Sequence, residues 1–172
     1  MANQQGDAGL AEQDVAAIAR QLHRQPRGLI AVAHRCACGM PDVVTTEPRL
    51  PDGTPFPTLY YLTCPRAASA IGTLEADGWM ARMQQRLGED RELARRYRAA
   101  HEDYLARRAE LGDVAEIEGI SAGGMPDRVK CLHVLAAHAL AAGPGVNPLG
   151  DEVLAAIDGW WLRRDCTARE QP

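Results

Sequence analysis

Between Pro48 and Pro57 the chain sets four prolines around an Asp52-Gly53 pair. No helix can run through such a stretch, because each proline lacks an N–H and crowds the turn before it. The block therefore reads as a turn between short runs of another kind. Before it lie two short runs of strand character, residues 29–33 and 43–46, and directly after it comes Thr-Leu-Tyr-Tyr-Leu-Thr at 58–63. A Pro- and Gly-rich turn between such runs favours a hairpin-like connection. The third run carries no charge, so it is expected to be the central or best-covered strand of a small antiparallel sheet.

The remainder reads as helix. Val15, Ile18, Ala19 and Leu22 recur at helical spacing within residues 10–23, before Pro26-Arg27-Gly28 ends the segment. Pro65 suits a helix start and Asp77-Gly78 a stop, giving 65–76. Further helices are expected over 79–87, 90–111, 126–142 (opened by Pro126) and 151–162. The long one aligns Leu93, Tyr97, Ala100, Tyr104 and Leu111 on one side, so its arginines and acids read as a solvated face rather than a nucleic-acid surface. The expected fold class is α+β: a small antiparallel sheet of about three strands covered by five or six helices, in a single domain over 10–163. Residues 1–9 are polar and small enough to predict disorder, and 164–172 read as a polar tail.

A length of 172 residues suffices for one hydrophobic core. The net charge of −4 supplies no basic field for nonspecific binding to nucleic acid or an anionic membrane. The N-terminus lacks the charged start and apolar run of a secretory signal, and no stretch has the length of a membrane span, so a cytoplasmic protein is expected. In a reducing compartment five cysteines argue for metal binding or thiol chemistry ahead of disulfides.

Four of those cysteines stand at three segment ends beside turn residues or histidine: His34-Arg35-Cys36-Ala37-Cys38-Gly39, Thr63-Cys64-Pro65 and Lys130-Cys131-Leu132-His133. Pro65 puts Cys64 at a helix N-cap, where unpaired N–H groups and the helix dipole favour thiolate. Cys131 and His133 cannot share a face of a regular helix; either the first turn is distorted, or His138, seven residues on, faces the same side as the thiol. Zinc takes four thiolate or imidazole ligands, so the candidate metal set is Cys36, Cys64, Cys131 and a histidine, His133 or His138, with Cys38 able to replace or supplement Cys36. An iron–sulfur cluster ranks below zinc. The same thiols are candidate nucleophiles, Cys64 or Cys131 with His34, His133 or His138 as base, His133 being the leading choice. Cys166, in the charged tail, reads as incidental, and His23 and His101 sit in charged helical surroundings that suit neither role.

A different chemistry is suggested by Gly123-Gly124-Met-Pro126-Asp127-Arg128-Val-Lys130, which contains the only lysine of the chain. Glycines leading into a helix start, followed by Arg128 and Lys130, can cradle a phosphate or carboxylate; the stretch equally suits a flexible connector.

The strings Pro51-Asp-Gly-Thr-Pro-Phe-Pro-Thr-Leu-Tyr-Tyr-Leu-Thr-Cys-Pro65, Gly-Met-Pro-Asp-Arg-Val-Lys-Cys-Leu-His133 and Asn147-Pro-Leu-Gly150 resemble, in the same order, an uncharacterised bacterial family common in actinobacteria, domain-of-unknown-function family 501. The resemblance spans roughly residues 11 to 160. Its Arg-Cys…Gly…Pro element maps onto Arg35, Cys36, Gly39 and Pro41 and leaves out Cys38 and Cys166, which favours Cys36 as the functional thiol. Members resemble chromosomal neighbours of a septum-formation initiator and an exopolyphosphatase-type phosphatase. Three functions follow as expectations: a thiolate and imidazole pocket holding zinc; a cysteine-dependent hydrolase or transferase acting on an anionic small molecule; or a non-catalytic interaction module whose partner is a division-associated protein.

Overall fold

The computed structural model describes residues 10–162 and Cys166. The regions expected to be disordered or tail, 1–9 and all of 164–172 except Cys166, lie outside the described residues. Three strands, β1 (Leu29–Arg35), β2 (Pro41–Thr46) and β3 (Tyr60–Leu62), follow a first helix α1 (Glu12–Leu22). After them come α2 (Pro65–Ala76), α3 (Trp79–Glu89), α4 (Arg91–Ala109), α5 (Leu132–Ala142) and α6 (Pro148–Ala156). This is the α+β, single-domain arrangement that the sequence leads one to expect.

The strands pair antiparallel in the order β1-β2-β3, with Val32 opposite Val44 and Val43 opposite Leu62. The central strand is therefore β2, and the uncharged 58–63 run supplies an edge strand of three residues. Two successive hairpins lay strands down in chain order, so the middle run takes the middle place regardless of charge. What covers β3 is instead helical: α5 packs on it, and Tyr60, Tyr104 and His138 form an aromatic cluster with ring centroids 5.1 to 6.0 Å apart. The buried Tyr104 hydroxyl accepts the Leu59 N–H at 2.6 Å, tying α4 to the entry of β3.

Helix starts follow the local chemistry. Asp90 Oδ1 accepts the N–H groups of Glu92 and Leu93 to open α4, and Asn147 Oδ1 accepts the Gly150 N–H to open α6 behind Pro148. The buried side of α4 carries Leu93, Tyr97, Ala100 and Tyr104, as its periodicity predicts. Arg108 on the same helix is buried and donates to the carbonyls of Pro57, Ile117 and Ile120, which anchors the proline block and the 115–120 segment to one helix.

The helix expected from Pro126 begins at Leu132 instead. The Arg128 N–H donates to the Gly124 carbonyl in a single turn, and the Lys130 N–H reaches back to the Gly123 carbonyl rather than to Pro126, folding 123–130 back on itself. Gly124 is required there: at φ +94°, an added Cβ would lie 2.7 Å from the Arg128 oxygen. The expected last helix, 151–162, is likewise resolved into α6, starting at Pro148, and a separate short 3₁₀ turn at Trp160–Leu162. No helix among the described residues is long and apolar enough to cross a membrane.

Candidate functional site

The β1–β2 hairpin builds the first half of a sulfur cluster. The Cys36 N–H donates to Met40 O and the Gly39 N–H to Cys36 O, with Gly39 at φ +87°, a left-handed conformation that glycine adopts without strain. This tight turn presents Cys36 inward and leaves Cys38 at the exposed rim. Cys166 returns from the far end of the chain to bring its Sγ within 3.4 Å of Cys36 Sγ. The Sγ atoms of Cys36, Cys38 and Cys166 all lie within 4.8 Å of one another. The Cys64 thiol interacts with Cys166 from the N-cap of α2, where its sulfur accepts the Ala67 N–H at 3.5 Å. All four are free thiols.

Burial dominates their acidity. It pushes Cys36 up to about 11, raises Cys64, and raises Cys166 strongly with the help of its sulfur neighbours. Cys38 moves the other way: burial opposes ionisation, but hydrogen bonds, first from the Met40 N–H and then from Cys166, outweigh it. Beside the cluster, Asp42 is fully buried. Its Oδ1 lies 2.8 Å from His34 Nδ1, its Oδ2 has no hydrogen-bond partner among the described residues, and its charge acts on Cys64. The bond to Asp42 raises the His34 pKa against the effect of burial.

A second constellation joins α2 to the start of α5. Cys131 is the N-cap of α5, at φ −156° and ψ 110°. That extended backbone frees its side chain from the angular rule of the helix, and Sγ lies 4.0 Å from His133 Nδ1. Glu75 Oε1 accepts the Leu132 N–H at 2.8 Å and lies 3.3 Å from the same Nδ1. His133 Nε2 lies 3.0 Å from the Ala68 carbonyl, which only accepts, so this nitrogen carries a proton. The hydrogen bond with Cys131 is the largest influence on His133, which is pushed up to about 9. The Cys131 thiol is lowered: burial opposes this, and His133 followed by the Val134 N–H outweighs it.

These two groups divide the expected single pocket. Cys36 belongs with Cys38 and Cys166, Cys64 adjoins that group through Cys166, and Cys131 and His133 belong with Glu75. His138 joins neither. It is fully buried, with Nε2 2.9 Å from Asp103 Oδ2 and Nδ1 accepting from Asn147 Nδ2 at 3.2 Å, so both ring nitrogens are engaged in holding α4, α5 and α6 together. Burial accordingly lowers its pKa. Gly123 and Gly124 turn their carbonyls toward the N–H groups of Lys130 and Arg128, and the backbone of this stretch is bonded to itself.

Sequence reasoning missed Cys166, Asp42 and Glu75. The Cys36-x-Cys38 pair did signal a shared site, but a single carboxylate in a strand or helix carries no local mark of its partners.

A groove of about 550 Å³ runs between β3 and α5, and both Cys131 and His133 line it. Residues 32–155 match the model of a family described as a protein of unknown function, DUF501. The span includes both constellations except for Cys166. No curated protein and no solved structure matches the chain.

Proposed function

Because the chain belongs to the DUF501 family of unknown function, its chemistry is read from its own side chains, and we propose that it binds one zinc ion through the clustered thiols Cys36, Cys38 and Cys166, with Cys64, which adjoins Cys166, swinging in as the fourth ligand. The observation that carries this reading is the approach of Cys36 and Cys166 sulfurs to 3.4 Å without a disulfide. Four thiolates at about 2.3 Å from a zinc ion stand about 3.8 Å apart along the tetrahedron's edges. A spacing close to that suits a single soft ion between sulfurs and leaves no room for a multi-iron core. The unpartnered Oδ2 of Asp42 adds buried negative charge near Cys64, which a dication compensates.

With every coordination position taken by protein, such a centre is structural. It staples the β1–β2 turn, the start of α2 and Cys166 to one another. Elemental analysis of protein purified without chelator tests the reading. About one zinc per chain is expected, lost together with thermal stability when Cys36 and Cys166 are both changed to serine, and retained in Cys131→Ser. A folded, metal-free protein whose melting temperature ignores both added zinc and chelator overturns it.

A further inference from the structure

We propose that Cys131 is a nucleophile that takes an acyl group from an uncharged, largely apolar ester or thioester held in the groove between β3 and α5, with His133 as its proton partner and Glu75 as the positioning residue. This site shares no residue with the zinc set.

Three independent features converge on it. The first is the constellation itself: a thiol at a helix N-cap, an imidazole nitrogen 4.0 Å from the sulfur, and a carboxylate oxygen 3.3 Å from that nitrogen. Thiol and carboxylate share Nδ1, and the Ala68 carbonyl holds the opposite nitrogen, so the ring is oriented from Nε2 while Glu75 favours its charged form, with the thiol at the looser spacing common without substrate. The Ala68 carbonyl fixes the Nε2 proton, so Nδ1 is the nitrogen that exchanges a proton with Cys131 or a leaving group. The second feature is the groove, whose volume is in the range of small-molecule sites. Tyr60, Tyr61, Leu62, Pro65 and Val134 wall it, and among the described residues no lysine, arginine or carboxylate lines it, which suits a largely apolar ligand.

The third feature is Gln21, which lines the same groove while only 4% exposed. Its Nε2 donates to the carbonyls of Pro41 and Cys166, which fixes the orientation of the amide. Its Oε1 has no partner among the described residues. A buried acceptor left without a donor costs free energy, and because this oxygen is shielded from solvent, a ligand N–H or O–H in the groove reaches it once the Gln21 side chain shifts toward the lining.

In the reaction, Cys131 Sγ attacks the acyl carbon. The S–C bond forms, the bond from that carbon to the alkoxide or thiolate leaving group breaks, and the leaving group takes the Nδ1 proton of His133. Water then attacks the thioester and gives a proton back to Nδ1; the S–C bond breaks, and the carboxylic acid departs, restoring the thiolate. The low thiol pKa and the high imidazole pKa match a resting ion pair. The titratable groups facing this pair are Glu75 from α2, Tyr60 and Tyr61 from β3, and His23 beyond α1.

Reaction of the full chain with p-nitrophenyl butyrate tests this. A burst of about one p-nitrophenolate per chain is expected, with the butyryl mass on the Cys131 peptide and no burst from Cys131→Ala. The double variant of Cys36 and Cys166 to serine is expected to keep acylation of Cys131 even where zinc is lost. Glu75→Gln should slow acylation about tenfold and move the alkaline limb of its pH profile below the wild-type position. Peptide mapping of wild-type protein alone decides the matter if a variant does not fold. An absent burst, a butyryl group on another residue, or Cys131 alkylation by iodoacetamide no faster than that of an ordinary thiol overturns the proposal.

Discussion

Replacing Tyr104 by phenylalanine removes one oxygen from the interior. Tyr104 and Leu59 are both buried, and the Leu59 N–H donates to the phenolic oxygen at 2.6 Å, with a weaker approach from the Tyr60 N–H at 3.4 Å. The ring is retained in Tyr104→Phe, so its edge-to-face contacts with Tyr60 and His138 persist and no sizeable cavity opens. What is lost is the acceptor of a buried donor, at a cost of about 1–3 kcal/mol. For a chain of this length each kcal/mol corresponds to about 2–4 °C, so a melting temperature lower by about 4–8 °C is expected for a loss near 2 kcal/mol. Urea unfolding followed by circular dichroism measures the free energy, with an unchanged m-value showing that the denatured state is unaltered. Faster amide exchange at Leu59 would place the damage at the entry of β3, the strand that leads to Cys64 and walls the groove. A loss below about 0.5 kcal/mol would refute the argument, since it would mean that the Leu59 N–H finds another partner.

Gly150→Ala tests the closest helix contact. The added Cβ would lie 2.2 Å from the Leu135 oxygen and 2.8 Å from Ala139 Cβ, so α6 has to move off α5, at a cost of about 1–3 kcal/mol or more, read by urea unfolding. Acid stability is expected to depend on Asp14, whose pKa the hydrogen bond from Arg35 lowers. A carboxylate depressed in the folded state binds protons more tightly when unfolded. Its contribution is therefore present above the ordinary value of 3.8 and is lost as pH falls through the lower folded value. Asp14→Asn should flatten the acid limb of a stability–pH curve, and an unchanged limb would show that the Arg35 contact contributes nothing.

The fold was legible wherever local rules act alone. Pro48 to Pro57 marked the connection between β2 and β3, Cys64-Pro65 marked the start of α2, and the periodicity of Leu93, Tyr97, Ala100 and Tyr104 named the buried face of α4. Local rules erred where a distant partner competes for the same backbone groups. Pro126 has the chemistry of a helix start, yet the Gly123 carbonyl takes the Lys130 N–H that a helix would direct to Pro126.

By itself the amino-acid order determined the elements, their approximate ends and which thiols sit at turns, because dihedral preference, capping and hydrophobic period are properties of neighbouring residues. Only the tertiary structure decided which thiols meet. It joined Cys166 to Cys36 across 130 positions, gave Cys131 to Glu75 rather than to Cys36, and buried His138 in a hydrogen-bonded core. Such meetings depend on how whole helices pack against the sheet, and the directions in which distant side chains then point are set by the summed packing of the core.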